Sequence, residues 1–468
     1  MSKSNSTLGM SATDYTKLKS HLFPGDGLEA AAILLCSRVM GARVRMMVKE
    51  VHCVPHSECE RLQTWVTWPG QHIEDCLEKA EKNDLSLILV HSHPQGGSEF
   101  SQTDNDSDLE LMDSLFLARP SGRSGEMLHG SAIMLPNGWI RARAYNPKLK
   151  SNDLSLVTVI GDDISLYWVN NPQNSVPMAF SAGMRSELER LHVGVVGVSG
   201  TGSIVAEQLL RLGLDEITVV DHDTLETKNL NRILNSTLHD AESALPKVEL
   251  FQRAASAISP KTIVNAVCHE VGSHEAIEAL SKVDVLFCCV DSVIGRDICQ
   301  RLASSLLLPL FDVGVVIPVR QNCQGENVIQ DIQGRIDYLQ PGGSTLHTRG
   351  VYSAEDVAVE ELRLTDPKRF SRQVQEGYMP GSTEEAPSVI SVNMRAASMV
   401  VQEFIARTFR YRLDGNRPYA RTMFALAIEE TEYFGEDEFQ PVRSQLYAAG
   451  LSSPLLGLPM LGEIKCAA

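Results

Sequence analysis

The sequence predicts an α/β protein of two units: a mixed α/β domain over residues 1–165 and, over residues 181–468, a doubly wound parallel-sheet domain with an appended antiparallel and helical C-terminal region. Three observations predict it. A length of 468 residues suits two or three domains at roughly 100–200 residues each. The strings HVGVVG, a glycine loop, SIVAEQLLRL and EITVVD read as the strand, helix and strand of a βαβ unit. Between the two units, the run from residue 161 to 180 is polar and turn-rich, the composition of a domain boundary.

In the first unit, the apolar stretch Leu28–Val39 reads as a helix, Val44–Val54 as a strand and His72–Lys82 as an amphipathic helix. The short apolar strand LSLILV runs straight into HSHP. After a Gly/Ser loop, a helix over Thr103–Leu117 is followed by strands around His129–Met134 and Trp139–Tyr145, with PNG as the turn between them. In the second unit, strands at Thr262–Val267, Val283–Val290 and Leu307–Asp312 alternate with helical segments. Beyond Val313 the pattern changes to antiparallel strands and three helices, the longest being PSVISVNMRAASMVVQEFIARTF, which completes or covers the glycine-loop site.

Composition narrows the function classes. A 43% hydrophobic share with 22% charged residues excludes a largely disordered, collagen-like or low-complexity chain. With 42 Lys+Arg against 59 Asp+Glu, the net charge is −17, and no basic run supplies the footprint of a nucleic-acid or anionic-membrane binder. Proteins and small molecules are the expected partners. No apolar run reaches the roughly 18 residues of a membrane span, and the N-terminal stretch lacks a signal-peptide core, so the expected location is the cytoplasm. The 10 cysteines form no CxxC pair and are expected to be mostly reduced and buried.

His91 and His93, two apart at the end of an extended run, point to one face, where one metal ion can take both imidazoles. Pro94 stops the strand. Ser101-Gln-Thr-Asp104 has the form of a helix start with an acidic third residue, which turns Asp104 toward the histidines. The set is His₂Asp with a fourth position open, the arrangement of catalytic rather than structural zinc. HxH alone is compatible with two surface histidines before a proline loop, and Ser101 and Asp104 with a plain helix cap. The whole string HSHPQGGSEFSQTD resembles the JAB/MPN (JAMM) metalloprotease motif. The resemblance implies zinc on His91, His93 and Asp104. It further implies Glu29, on an upstream N-terminal helix, as general base and Ser101 as the group that steadies the tetrahedral intermediate. Substrates in that family are peptide or isopeptide bonds after the C-terminal glycine of ubiquitin-like proteins.

In the second unit, Gly197, Gly200 and Gly202 sit between strand and helix, so backbone can approach a phosphate and the helix N-terminus can hold the anion. This is not GxGxxG, and dinucleotide binding is the default alternative. Asp221, 24 residues after Gly197, suits a ribose hydroxyl in either reading. The continuation VDHDTLETKNLNR, PKVE and CCVDSVIGR resembles the adenylate-forming ThiF/MoeB/HesA and ubiquitin-activating enzyme superfamily over roughly residues 181–320. That resemblance implies a Rossmann-like adenylation domain using ATP and Mg²⁺. Asp221 would serve the ribose, Arg232 and Lys247 the phosphates and Asp291 the magnesium, with Asn229 also in the pocket. APSVISVN, from Ala386, looks like the motif of ThiF-type proteins in which a helix packs back on the nucleotide domain.

Two departures qualify the resemblance. The segment equivalent to the family's cysteine-bearing stretch, QPGGSTLHTRG, has no cysteine, which leaves Cys323 and Cys466 as candidate thioester nucleophiles. The arginine expected before the first strand is missing; Arg185 and Arg190 are poorly placed, and RFSRQ at Arg369–Gln373 lies far downstream. The reading is a two-enzyme fusion of a bacterial-type ubiquitin-like pathway, homodimeric, with a β-grasp protein and a conjugating enzyme as partners. Adenylation without a thioester, as in sulfur-carrier or peptide-modifying relatives, is the alternative within enzymes. A non-catalytic module that binds a ubiquitin-like tail is the alternative outside them. An oxidoreductase ranks last, since it leaves NLNR, Lys247 and Asp291 unexplained.

Overall fold

The computed structural model describes residues 6–41, 43–118, 121–122, 125–375 and 389–462. A first sheet takes β1 (Thr7–Ser11), β2 (Ala31–Val39), β3 (Arg45–Cys53), β4 (Ser86–Ser92), β5 (His129–Met134), β6 (Ile140–Tyr145), β7 (Ser151–Leu154), β8 (Leu156–Ile160) and β9 (Ile164–Trp168). Their spatial order is β7-β6-β5-β4-β2-β3-β1-β8-β9. Helix α1 (Ala12–Leu22) packs on one face, and α2 (Gln71–Asn83) and α3 (Gln102–Ala118) on the other.

Residues 31–39, expected to be helical, are the central strand β2 instead. Ala32 and Leu34 face the α1 side while Ile33 and Leu35 face α2 and α3, and every residue of the strand is buried. A strand covered on both faces loses its apolar/polar alternation, so AAILLCSRV carries no period by which to separate it from a buried helix. The correction extends to Glu29, which lies in the loop before β2 and not on a helix.

The second sheet takes β10 (His192–Val196), β11 (Glu216–Val220), β12 (Ile263–Val267), β13 (Val285–Cys288), β14 (Leu310–Val316), β15 (Gln333–Leu339), β16 (Arg421–Ala425) and β17 (Glu430–Phe434), ordered β12-β11-β10-β13-β14-β15-β16-β17. β10 to β14 are parallel in the doubly wound order 3-2-1-4-5, and β15 to β17 continue antiparallel. Short α4 (Ala182–Leu188) precedes the sheet; α5 (Gly200–Leu212), α6 (Lys247–Ile258) and, further on, α11 (Ile390–Phe409) cover one face, and α7 (His274–Leu280) and α8 (Val293–Leu306) the other. The expected three C-terminal helices are α9 (Ala354–Thr365), α10 (Pro367–Gln375) and α11. Among the described residues, no helix is long and apolar enough to cross a membrane.

The two sheets share their cores. β9 runs past residue 165, the expected end of the first unit, and Leu156, Ile160, Ile164 and Trp168 lie in one cluster with Val193, Leu209 and Phe404. On the other flank Val39 and Met47 pack with Leu302, Leu306 and Leu310. A buried ion cluster closes the seam. Arg43 and Arg45 of the first domain reach Asp284 before β13, Arg43 in a short ion pair and Arg45 at 3.8 Å, and Arg43 also donates to the Lys282 carbonyl and Arg45 to that of Val283. Asp284 in turn accepts the His192 N–H at 3.0 Å.

Candidate functional sites

The first site grows from strand register. Ala31 of β2 pairs with His91 of β4, and Ala30 and Ser92 continue the match through Ala30 N–H to Ser92 Oγ (2.9 Å) and Ser92 N–H to the Ala30 carbonyl (3.0 Å). The next position along sets Glu29 opposite His93. The Glu29 backbone is fixed on its other side by Leu62 and by Arg61, whose Nε donates to the Glu29 carbonyl at 2.7 Å.

The helix-start expectation at Ser101 holds. Asp104 N–H donates to Ser101 Oγ (3.1 Å) and Ser101 N–H donates to Asp104 Oδ2 (2.6 Å), a reciprocal cap that aims the carboxylate. His91 Nε2 and His93 Nε2 stand 2.9 Å apart, with Asp104 oxygens 3.2 Å from the first and 3.6 Å from the second. His93 Nδ1 lies 2.7 Å from the Gly97 carbonyl, which keeps the proton on that nitrogen and the Nε2 lone pair free to bind. The three donor atoms lie within 4.8 Å of one another, and two imidazoles with one carboxylate are the donor chemistry of zinc, so the residues fit the metal. Burial works against the Asp104 charge, yet bonds from both histidines hold its carboxyl well below the ordinary range. Glu29 shows the reverse: burial pushes its carboxyl up, against the pull of His91 and His93. One half-buried site therefore holds an ionised ligand beside a buried carboxyl poised to exchange protons.

The second site lies where the sheet order reverses, between β10 and β13, at the carboxyl ends of the strands. Gly197 follows β10 with φ +83°, and a side chain on Gly202 would collide with the Gly197 carbonyl, so the loop turns this tightly only with glycine. Asp221, after β11, accepts Val198 N–H at 2.7 Å and Asp223 N–H at 2.9 Å, tying the glycine loop to the neighbouring strand end. Burial pushes its carboxyl up, against the pull of Lys247. Asn229 is buried and accepts Glu226 N–H at 3.0 Å, closing the turn Thr227–Asn229. Arg232 donates to the Lys228 carbonyl and Asn231 Oδ1, both at 3.1 Å, and has no carboxylate partner among the described residues. Its stem lies against Gly200, as does the Asn393 amide of α11, so the long C-terminal helix does return to the nucleotide loop. Lys247, at the first turn of α6, is buried and pairs with Asp223 at 2.6 Å. Asp291 is exposed just past β13, and its carbonyl accepts Arg296 Nη1 at 3.1 Å.

Asp223 and Arg296 were not singled out from the sequence, although both stand inside the motifs, in VDHD and DSVIGR. Asp223 holds Lys247 in place, and Arg296 links Asp291 to buried Asp312, 3.2 Å from its Nε. The cysteines depart from expectation: of the nine described, all free, only Cys36, Cys76, Cys288 and Cys299 are buried. Cys323 is exposed, between the paired strands Val319–Gln321 and Asn327–Ile329 that follow β14. Cys466 and the start of APSVISVN lie outside the described residues. Arg185 pairs with Glu189 in its own chain segment, and Arg190 stacks 3.6 Å over Trp168 at the seam.

Together these features define a two-domain chain in which a doubly wound nucleotide-binding sheet is joined to a domain carrying a His₂Asp metal-type site. The chain belongs to the ThiF family, which matches residues 173–437, and residues 13–144 match the prokaryotic homologs of the JAB domain. It is similar to ubiquitin-like modifier-activating enzyme 5 of Aedes aegypti, with 27% identity over 188 residues, 37% of this chain and 44% of that one. The Caenorhabditis elegans protein of the same name is 24% identical over 195 residues, covering 37% and 41%. The chain spans under half the length of these curated relatives. Among solved structures, E. coli MccB with ATP is similar at 15% identity and a TM-score of 0.40, covering 54% of this chain and 66% of that one. The microcin C7 biosynthetic enzyme MccB in complex with N-formylated MccA gives 16%, 0.42, 54% and 67%.

Proposed function

We propose that the chain is a bifunctional enzyme of a ubiquitin-like protein pathway. Its second unit, residues 181–468, adenylates the C-terminus of a β-grasp protein with MgATP, and its first, residues 1–165, cuts peptide or isopeptide bonds after such a terminus. The observation that carries the reading is that one chain holds both a glycine loop ringed by Asp221, Arg232 and Lys247 and a convergent His91, His93 and Asp104 set with a raised Glu29 carboxyl beside it.

For hydrolysis, His91, His93 and Asp104 would hold zinc, which would supply the Lewis acidity that makes water a nucleophile at neutral pH. Glu29 takes the proton from the attacking water and gives it to the departing amine. Ser101 Oγ already accepts the Asp104 N–H, which leaves its hydroxyl proton to donate to the oxyanion as it forms. For adenylation, the tail carboxylate attacks the α-phosphorus of ATP and pyrophosphate leaves. Arg232 and Lys247 offset the phosphate charge, and Asp291 would hold Mg²⁺. Release of Lys247 from Asp223 to the phosphates exchanges one anionic partner for another.

A second reading, transfer directly from the adenylate without a thioester, is favoured by the cysteines at the nucleotide end of the sheet. Burial and neighbouring carboxylates push up the thiols of Cys268 and Cys289, so both are poor nucleophiles. ATP–pyrophosphate exchange with a glycine-terminated β-grasp protein tests activation. Exchange that is lost in Asp291→Ala supports the reading, and its absence from the wild type refutes it. A thiol-sensitive band on non-reducing gels selects the thioester route through Cys323 or Cys466. Zinc content and cleavage of a linear fusion test the first domain.

A further inference from the structure

Away from both sites, α1, β3 and α2 of the first domain and the segment around residue 443 enclose a cleft of about 790 Å³, a size that accepts a small ligand. Its walls carry Lys17, Lys49, Lys79 and Arg443 against Asp14 and Glu50, a local balance of +2 in a chain whose net charge is −17. Most of these charges are tied down. Lys79 pairs with Glu50 at 2.7 Å, Lys17 donates to the Val51 carbonyl at 2.6 Å, and Asp14 takes the Tyr447 hydroxyl at 2.6 Å with Arg443 at 3.6 Å.

Lys49 is different. Its half-buried ammonium has no hydrogen bond or ion pair among the described residues, while Arg443 Nη2 donates to the Lys49 carbonyl at 2.7 Å and brings a second cation onto the same stretch of β3. Burial, and then Arg443, push the Lys49 pKa down. Arg443 is met by Asp14 at 3.6 Å, which leaves Lys49 and Lys17 as the cleft's cations without a carboxylate partner among the described residues, and a half-buried ammonium with no counter-charge is the local conflict expected of a site kept for a ligand.

We propose that this cleft binds a phosphate-bearing dianion between Lys49 of the first domain and Arg443 of the second. Charge and size select the class: the cleft's balance of +2 matches a phosphate dianion, and an arginine fork with a lysine point charge is a common phosphate-binding pair. The one aromatic ring in the cleft, Tyr447, lies 4.0 Å beneath the Arg443 guanidinium, so the phosphate group and not a stacked base provides the contact. Because the two cations belong to different domains, the ligand would brace the seam that joins the two sites.

The test is titration of the full chain with inorganic phosphate, read by calorimetry and ³¹P line broadening. Saturable binding by the wild type is expected, weakened at least about tenfold in Lys49→Met, Lys49→Gln and Arg443→Met and retained within about twofold in Lys247→Ala at the nucleotide loop. Without phosphate, Lys49→Met should melt no lower than the wild type, since the variant removes a repulsion. AMP titrated into Lys247→Ala identifies the carrier: tighter binding than phosphate assigns a nucleotide, and equal binding assigns phosphate alone. No saturable binding, binding unchanged in the Lys49 and Arg443 variants, or binding lost in Lys247→Ala would each overturn the proposal. So would a lower melting temperature for Lys49→Met without phosphate.

Discussion

Replacing Asp284 by asparagine tests whether the two domains are one cooperative body. The carboxylate is 1% exposed and faces two guanidiniums, Arg43 and Arg45, that are 6% and 2% exposed at the side chain. Asparagine keeps the volume and one oxygen for the His192 N–H but leaves two buried cations without a counter-charge. Breaking a buried pair in this way costs about 3–5 kcal/mol. Unfolding entropy of about 2.1 cal/mol/K per residue over 468 residues gives about 1 kcal/mol/K if the chain melts as a unit. The melting temperature should then fall by about 3–5 °C within a single calorimetric transition. If only the first domain responded, the same free energy acting on about 165 residues would lower its transition by roughly 9–14 °C and split the trace in two. A shift below about 1 °C would refute the assignment of Asp284 as counter-ion, and two transitions in the wild type would refute the shared core.

Glu29→Gln should lower hydrolysis by about 10²–10⁴-fold with zinc stoichiometry unchanged, measured by fusion cleavage and metal analysis; loss of zinc would instead make Glu29 a ligand. Lys247→Met should lower pyrophosphate exchange by about 10²–10³-fold and leave fusion cleavage intact, since the two sites share no residue. The third prediction concerns acid stability. Burial opposes the Asp337 charge, but Arg335, Arg349 and Arg421 hold its carboxyl below the ordinary range. A lowered folded pKa contributes stability that is present above the unfolded value of about 4 and lost as pH falls below it. Urea midpoints should therefore drop below about pH 4 in the wild type, and Asp337→Asn should be weaker at neutral pH with a shallower acid decline; parallel curves would exclude Asp337 as a source of that decline.

What was legible in the sequence follows from how local each constraint is. The Ser101 cap, the helices over 71–83 and 102–118, and the turn at Gly138 depend on residues within a few positions of one another, and these are the expectations that match most closely. The βαβ unit was readable because strand, glycine loop and helix follow in order, with Gly197 at a positive φ and Gly202 pressed against the Gly197 carbonyl five residues earlier. The Leu28–Val39 run was misread because its two-sided burial comes from α1 on one face and from α2 and α3 on the other, and no local period records that. Likewise, nothing in the spacing of Glu29 and His93 announces that they are opposed. Only the β2–β4 register does so, and before the fold is known the glutamate is attached to the site by resemblance alone.

The seam is the part least visible in advance, and the reason is chemical. Arg43, Arg45 and Asp284 are charged residues, for which exposure is the ordinary expectation, and their sequence separation of about 240 residues offers no pattern linking them. Here each is buried because a partner from the other domain meets its charge, while Trp168 and Met47 place their apolar surface against the second sheet. The turn-rich run of 161–180 contains β9, and at its start Tyr338 Oη donates to the Gly161 carbonyl at 2.7 Å and Arg407 to that of Asp162 at 2.5 Å, so the turn between β8 and β9 is held by the second domain. A hairpin turn of one sheet whose carbonyls are hydrogen-bonded by buried side chains of the other ties the two sheets together. The metal-type site and the nucleotide loop are thus fixed relative to one another, and a substrate tail that visits both must itself move between them.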